Sequence, residues 1–371
     1  MRMPVTARRT SNSASAFSSS RFAQTPRACN RGVGFAMDSQ RHHAKSCIKI
    51  QNDKDTLTTM SIAFLFPGQG SQAVGMGRAL ADQFPAAKAT FDEADEALGY
   101  SLSALCFDGP EDKLKLTEYT QPAILTVSVA ATRVLADHGI QPAFAAGHSL
   151  GEYSAHVAAG TFSFADAVRT VRSRGQFMQE AVPAGKGGMS AILGLDAHRI
   201  AELCQQASDE HNIVVAPANM NAPEQTVISG EINAVTRAGE LCKEAGAKRV
   251  VPLPVSAPFH CNLMQPAADR LAAELERIII NDPTIPVASN VDARIIARRA
   301  EVRDCLVRQV TGAVRWVECV ELLKSSGATT FIEVGPGKVL SGLMRQIDRT
   351  QKMLNVEDPE SLEKTSAALQ S

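Results

Sequence analysis

The chain has 371 residues, 44% hydrophobic and 21% charged, with 38 basic and 39 acidic side chains and a formal net charge of −1. This balance averages two unlike parts: residues 1–60 carry 10 basic and three acidic side chains (+7), and the rest carries 28 and 36 (−8). The hydrophobic content excludes wholesale disorder. An acidic body with three Tyr and one Trp is unlike a nucleic-acid-binding protein, and no apolar run is long enough to span a membrane.

The eight cysteines are scattered, and no two of them lie closer than 14 positions along the chain. A chain without a CxxC pair lacks the usual spacing of zinc and redox sites. We therefore expect reduced thiols and no metal or redox cofactor.

The first 37 residues contain six Arg, no acidic residue and the run Ser18-Ser19-Ser20. This composition is typical of an organellar transit peptide. The alternative is a mis-assigned start, because Met60 directly precedes the first strand-like run. Residues 1–59 are predicted to be a disordered leader or extension in either case. The predicted location is cytoplasmic, or mitochondrial or plastid if the leader is genuine.

Beyond residue 60 the hydrophobic pattern alternates between strands and helices. Strands are predicted at 62–66, 143–146, near 286–290 and at 330–334, and helices at 122–137, 164–182, 300–311 and 315–325. Strands that alternate with helices indicate a mainly parallel sheet covered on both faces, as in a hydrolase-like core.

The order of strands and helices changes in the middle of the chain. Its pattern predicts strand 189–195, helix 196–207, strands 213–219 and 225–229, helix 231–245 and strand 248–255, the βαββαβ order of a ferredoxin-like α+β unit. We expect a small subdomain at 186–255 inserted into a large α/β domain (60–185 and 256–350), followed by a C-terminal tail at 351–371.

The strongest local motif is Gly147-His148-Ser149-Leu150-Gly151, a GxSxG between a short apolar strand and a helix. Flanking glycines permit the sharp turn that lifts a nucleophilic serine clear of the backbone. The helix N-terminus then favours a developing oxyanion.

A serine nucleophile needs a base, and two histidines are candidates. His148 adjoins the serine, but neighbours in such a turn point apart. His260 follows Pro258-Phe259 at the end of a predicted strand, in a loop that returns to the core. The residues themselves leave the choice between the two open.

Five ordered motifs resemble those of malonyl-CoA:acyl-carrier-protein transacylases, over about residues 61–348. They are Phe66-Pro67-Gly68-Gln69-Gly70-Ser71-Gln72, Gly147-His148-Ser149-Leu150-Gly151-Glu152-Tyr153-Ser154-Ala155, Arg172-Ser173-Arg174-Gly175, Pro258-Phe259-His260-Cys261 and Glu333-Val334-Gly335-Pro336-Gly337-Lys338-Val339-Leu340.

The resemblance implies a role for each matching residue. Ser149 would attack the malonyl thioester while His260 accepts its proton, and the main-chain carbonyl of Gln309 would orient His260. Backbone N–H groups of Gln69 and Leu150 would form the oxyanion hole. The acyl group would then pass to the phosphopantetheine thiol of acyl carrier protein, in a ping-pong cycle that supplies fatty-acid synthesis.

The resemblance also implies the binding residues. Arg174 would pair with the free malonyl carboxylate, Phe259 would leave little room for an α-methyl group, and Asn219 would lie near the cleft. Lys248 and Arg249 are candidates to meet the carrier protein, although a solvated pair is an equal interpretation. The expected partners are malonyl-CoA and acyl carrier protein, with no nucleic acid or membrane, and we expect a monomer.

Three alternatives stay open. A serine hydrolase would share GxSxG but needs an acid in the order Ser…Asp/Glu…His. A non-catalytic carrier-binding module of the same fold should have lost the Ser or the His. A loading acyltransferase of a polyketide pathway would share every motif.

Overall fold

The structure is a computed structural model that describes residues 61–255 and 257–371. Residues 1–59, the predicted leader, lie outside the described residues, and so do Cys29 and Cys47. The described residues belong to one compact unit. Its described part contains a six-stranded and a four-stranded sheet.

The strands follow one another along the chain from the first described residues almost to the C-terminus. They are β1 (Ile62–Phe66), β2 (Phe144–Gly147), β3 (Gly187–Leu193), β4 (Val215–Ala222), β5 (Gln225–Glu231), β6 (Arg249–Pro252), β7 (Val287–Ala288), β8 (Ile295–Ile296), β9 (Thr330–Val334) and β10 (Lys352–Val356).

The helices fill the intervals between these strands. They are α1 (Arg78–Gln83), α2 (Pro85–Leu98), α3 (Leu102–Asp108), α4 (Glu111–Leu114), α5 (Thr117–Asp137), α6 (Gly151–Ala158), α7 (Phe164–Glu180), α8 (Ala197–His211), α9 (Ile232–Glu244), α10 (Gln265–Leu275), α11 (Arg299–Thr311), α12 (Trp316–Ser325), α13 (Val339–Ile347) and α14 (Pro359–Gln370).

The larger sheet has the order β10-β9-β1-β2-β7-β8, and every pair is parallel except the short antiparallel pair of β7 and β8. Its central strand β1 is apolar throughout because both faces are covered. Phe64 and Phe66 pack into one hydrophobic cluster, and Ala63 and Leu65 pack into another. The predicted α/β core with a mainly parallel sheet is confirmed.

The smaller sheet is antiparallel, with the order β4-β5-β3-β6. With α8 between β3 and β4, and α9 between β5 and β6, the chain follows the predicted ferredoxin-like βαββαβ path. Strand β4 touches the core, because Met220 N–H donates to the main-chain oxygen of Val314 over 2.9 Å. This contact joins the edge strand of the small sheet to the segment between α11 and α12.

The prediction of a C-terminal tail at 351–371 is wrong. Residues Lys352–Val356 form the edge strand β10, in register with β9, and α14 follows. A strand of five residues that includes the polar Lys352 and Asn355 carries a weak apolar signal, which explains the miss. The boundaries proposed between the large domain and the subdomain stay predictions.

Candidate active site

The serine turn has the geometry that its glycines require. Ser149 lies between β2 and α6 with a φ of 51°, in the left-handed region. A Cβ atom on Gly147 would lie 1.9 Å from the carbonyl carbon of Gly151, and one on Gly151 would lie 2.1 Å from the main-chain oxygen of Phe66. Both glycines are therefore fixed by close backbone approach, and Ser149 is held at the top of the sheet.

His260 lies directly opposite Ser149. The Ser149 hydroxyl donates to His260 Nε2 over 2.7 Å, and His260 Nδ1–H donates to the main-chain oxygen of Gln309 over 2.8 Å. Burial, and secondly the charge of Arg174, lower the pKa of His260 to about 3. The imidazole is thus neutral at physiological pH, with a free lone pair facing the hydroxyl.

His148 faces away from the serine hydroxyl. Its Nε2 pairs with Asn221 Oδ1 at 2.7 Å, and its ring packs 5.5 Å from the ring of Trp316. The side chain therefore links the serine turn to strand β4 of the small sheet. Of the two candidate histidines, only His260 is placed to act as the base.

Arg174 projects from α7 into the same cavity and is almost completely buried (1% exposed). Its Nη1 donates to Gln121 Oε1 over 2.8 Å, and its Nη2 donates to Gln309 Oε1 over 2.9 Å and to Ser149 Oγ over 3.2 Å. These acceptors are neutral amide and hydroxyl oxygens. The guanidinium charge is therefore available to a carboxylate that arrives with a ligand.

The remaining cavity residues surround this centre. The space is about 560 Å³, and Gln69, Leu150, Asn219 and Phe259 all line it, each from a different segment. Gln69 also donates from Nε2 to Thr117 Oγ1 over 3.5 Å. Leu150 directly follows the serine in the chain, and Gln69 lies in the wall of the same cavity; their role as an oxyanion hole stays a prediction.

Lys248 and Arg249 do not line the cavity. Both are exposed at the edge strand β6 of the small sheet, and Lys248 Nζ forms a surface ion pair of 2.9 Å with Glu224. Such pairs contribute little to stability.

A buried polar layer behind the serine turn was not predicted. Asn290 accepts from Ser149 N–H and donates from Nδ2 to the main-chain oxygen of Gly147, both over 2.7 Å. Gln309 donates from Nε2 to the main-chain oxygen of Ser149 and to Glu152 Oε2, both over 2.8 Å. The turn is thus clamped from behind by two amide side chains and one carboxylate.

Sequence signals existed for part of this layer. Asn290 is the last residue of the predicted strand and lies two positions beyond β7, at the carboxyl end of a parallel strand, where functional side chains collect. Glu152 was visible as the one acid of the helix that follows the serine turn. Gln121 and Asn221 give no local signal, because only the tertiary packing brings them to Arg174 and His148.

The described ranges 61–255 and 257–371 contain no group of three or more His, Cys, Asp or Glu side chains that could hold a metal ion. Within the same ranges no helix combines the length and apolarity needed to cross a bilayer.

Comparison with known proteins agrees with the geometry. Residues 63–364 match the family model described as "Acyl transferase domain". The chain is 53% identical over 302 residues to the "Malonyl CoA-acyl carrier protein transacylase" of Bacillus subtilis (strain 168), covering 81% of this chain and 95% of that enzyme.

Solved structures give the same result. An acyl carrier protein S-malonyltransferase from Vibrio cholerae is 52% identical with a TM-score of 0.80, covering 82% of this chain and 99% of that one. A malonyl-transacylase in complex with its type II polyketide acyl-carrier protein is 48% identical with a TM-score of 0.81, covering 83% and 99%. The chain therefore belongs to the acyl transferase domain family and is an acyltransferase.

Proposed function

We propose that the protein transfers the malonyl group from malonyl-CoA to the phosphopantetheine thiol of an acyl carrier protein, through an acyl-serine on Ser149. One observation carries the proposal. The Arg174 guanidinium lies within 3.2 Å of Ser149 Oγ, so a buried cation is in reach of the far end of a short acyl group on that oxygen. The names of the relatives, which act on malonyl-CoA and acyl carrier protein, support it.

The first half-reaction forms the ester. Ser149 Oγ attacks the thioester carbonyl as its proton passes to His260 Nε2, and the carbonyl oxygen becomes an oxyanion facing the N–H groups of Gln69 and Leu150. Collapse of the tetrahedral intermediate breaks the carbon–sulfur bond. The leaving coenzyme A sulfur takes the proton from His260, so the base is neutral again.

The second half-reaction reverses the first with a different thiol. The phosphopantetheine thiol gives its proton to His260 and attacks the acyl-serine, and Ser149 leaves with the proton returned from the imidazole. Because one acyl-enzyme joins the two halves, the kinetics are ping-pong. No step requires a metal or a redox cofactor.

Arg174 supplies the selectivity. A carboxylate on the acyl group accepts from the guanidinium fork in place of a neutral amide oxygen such as that of Gln121, and a charge-assisted hydrogen bond is the stronger one. An acetyl group would offer no such acceptor. Phe259, in the cavity wall beside His260, limits the space for a branched acyl group.

The carrier protein is the second partner, as the complex of the type II polyketide relative with its carrier suggests. Lys248 and Arg249 are exposed candidates for contact with an acidic carrier surface. The monomeric state, the cytoplasmic location and the supply of fatty-acid synthesis stay predictions.

Intact-mass analysis tests the proposal directly. Incubation with malonyl-CoA should add about 86 Da to the protein, the mass of one malonyl group on an oxygen nucleophile. Addition of holo-carrier protein should remove the adduct and produce malonyl-carrier. Free malonate without malonyl-carrier would instead identify a hydrolase.

The polyketide alternative is tested by the same measurement, because one solved relative acts with a type II polyketide carrier. The acyl-enzyme is presented in parallel with a fatty-acid carrier and a polyketide carrier. Faster transfer to the fatty-acid carrier supports fatty-acid synthesis, and faster transfer to the polyketide carrier supports the alternative.

A further inference from the structure

Glu152 is a completely buried carboxylate that takes no part in the proposed chemistry. It lies in the first turn of α6, and both of its hydrogen bonds fall on one oxygen. Oε2 accepts from the main-chain N–H of Asn290 over 3.1 Å and from Gln309 Nε2 over 2.8 Å. Oε1 is buried and has no hydrogen-bond partner among the residues that the structure describes. A buried acid needs a reason, because its burial is unfavourable.

The Gln309 side chain connects this acid to the cavity. Its Nε2 donates to Glu152 and its Oε1 accepts from Arg174 Nη2 over 2.9 Å. The two ends of an amide are chemically different, so an acceptor on one side and a donor on the other allow only one orientation. A Gln309 amide turned through 180° would point its NH₂ at the guanidinium and its oxygen at the carboxylate.

We propose that Glu152 is a positioning residue, which acts through the Gln309 amide to hold Arg174 where it meets the carboxylate of the acyl group. The inference rests on the proposed function and deepens it: selectivity for a dicarboxylic acyl group depends on an acid that the substrate never touches.

A second series of hydrogen bonds connects Glu152 Oε2 to the nucleophile. Asn290, whose N–H donates to Glu152, grips the serine turn on both sides through Ser149 N–H and the Gly147 oxygen. Gln309 Nε2 reaches the Ser149 oxygen as well. One buried acceptor is thus shared by the two residues that fix the nucleophile and the guanidinium relative to each other.

The use of a single oxygen gives a sharp test. In Glu152→Gln the amide oxygen can take the place of Oε2 and keep both hydrogen bonds, while its NH₂ takes the place of the unpaired Oε1. In Glu152→Leu both hydrogen bonds are lost at similar volume. Glu152→Asp keeps a carboxyl group but withdraws it by one methylene, so it is the second variant if Glu152→Leu fails to fold.

The measurement is the ratio of acyl-enzyme formation rates with malonyl-CoA and acetyl-CoA, by intact mass, with the melting temperature recorded in parallel. Glu152→Gln should hold the ratio within about threefold of the native value. Glu152→Leu or Glu152→Asp should lower it by about tenfold or more, because a small misplacement of a binding group causes a large loss of rate. The control is Glu333→Leu, which removes an equally buried acid that accepts from Leu340 and Ser341 at the start of α13.

The control should lower the melting temperature without moving the ratio, because a merely structural loss affects both acyl donors alike. A native ratio in folded Glu152→Leu or Glu152→Asp overturns the proposal, and so does an equal fall of the ratio in Glu333→Leu. If the native protein forms no malonyl-serine at all, the proposed function fails and the inference fails with it. If the native protein is malonylated but Glu152→Leu and Glu152→Asp keep the native ratio, the inference is refuted and the proposed function stands.

Discussion

His260 Nδ1–H donates a 2.8 Å hydrogen bond to the main-chain oxygen of Gln309. In a Ser-His-Asp triad this place is taken by a carboxylate, which holds the ring and stabilises its protonated form. A carbonyl holds the ring and fixes its tautomer but adds no full negative charge. This agrees with the low pKa of His260, about 3, to which burial contributes most.

Replacing each histidine in turn should show which of His260 and His148 is the base. His260→Ala is expected to slow acyl-enzyme formation by about 10²–10⁴-fold, the usual contribution of a general base. His148→Ala loses the contact with Asn221 but no group that faces the serine hydroxyl, so its loss should be less than about tenfold. Rapid-quench mass spectrometry with malonyl-CoA measures both rates. Near-native acylation by His260→Ala would return His148 to candidacy.

Replacement of the nucleophile should abolish the covalent intermediate. Ser149→Ala is expected to show no adduct of about 86 Da after incubation with malonyl-CoA, because the serine turn then offers no oxygen nucleophile. The matched control is Ser154→Ala, a completely buried serine on α6, the helix that follows the serine turn; this variant should still be acylated. An adduct on Ser149→Ala would place the nucleophile elsewhere.

Arg174 should govern selectivity rather than folding. Arg174→Ala is expected to lower kcat/KM for malonyl-CoA by about 30-fold to several thousand-fold, the range for truncating one partner of a buried charge pair. Acetyl-CoA use should fall far less. Arg172→Ala on the same helix, whose guanidinium lies over the Tyr100 ring at 5.0 Å, is the control. Equal losses for the two acyl donors would refute the role of Arg174.

The free energy of unfolding should fall at acidic pH, partly because of a histidine outside the cavity. Burial lowers the pKa of His156 from 6.5 to about 3. Between these values the unfolded chain binds the extra proton, so the free energy of unfolding falls as the pH falls, by about 1.4 kcal/mol per pH unit. His260 acts in the same direction. Glu152 acts in the opposite one, because burial raises its pKa to about 7 and its contribution is lost as the pH rises from 4.5 towards 7.

His156→Gln should therefore flatten the pH dependence of the free energy of unfolding between pH 4 and 6, by about 1.4 kcal/mol per unit. Urea titrations at several pH values measure this slope. The control is Ser154→Ala, a buried change on the same helix α6 that removes no titratable group and should leave the slope unchanged. An unchanged slope in His156→Gln would show that this histidine also binds its proton in the folded state.

The parts of the fold that carry strong local patterns were predictable. The apolar run of β1, the GxSxG turn and the βαββαβ order of the insert all follow from periods and turn residues. Helices α2, α3 and α4 were not predicted, and α5 begins at Thr117, before the predicted start at 122, with Pro122 inside it. Strand β7 covers only Val287–Ala288, because the chain turns back at once into β8.

Site residues that belong to a sequence motif were predictable, whereas contacts that only tertiary packing creates were not. Ser149, Arg174 and His260 belong to quoted motifs, and the structure brings them together. Gln309 was predicted to orient His260, but the contacts of its side chain with Glu152, and of Asn290 with Glu152, were missed because these residues are 157 and 138 positions apart. Such contacts depend on how the strands are ordered in the sheet, which local sequence does not encode.

The separation of Ser149 from His260 by 111 positions has a consequence during synthesis. The serine is translated first, then the whole inserted subdomain, then the base, and the carbonyl that orients the base comes 49 positions later still. A chain that ends between Ser149 and Gln309 has the hydroxyl but lacks the carbonyl that orients the base. Activation of the serine therefore requires segments up to 160 positions apart to be folded together, and no local stretch of the chain can supply it.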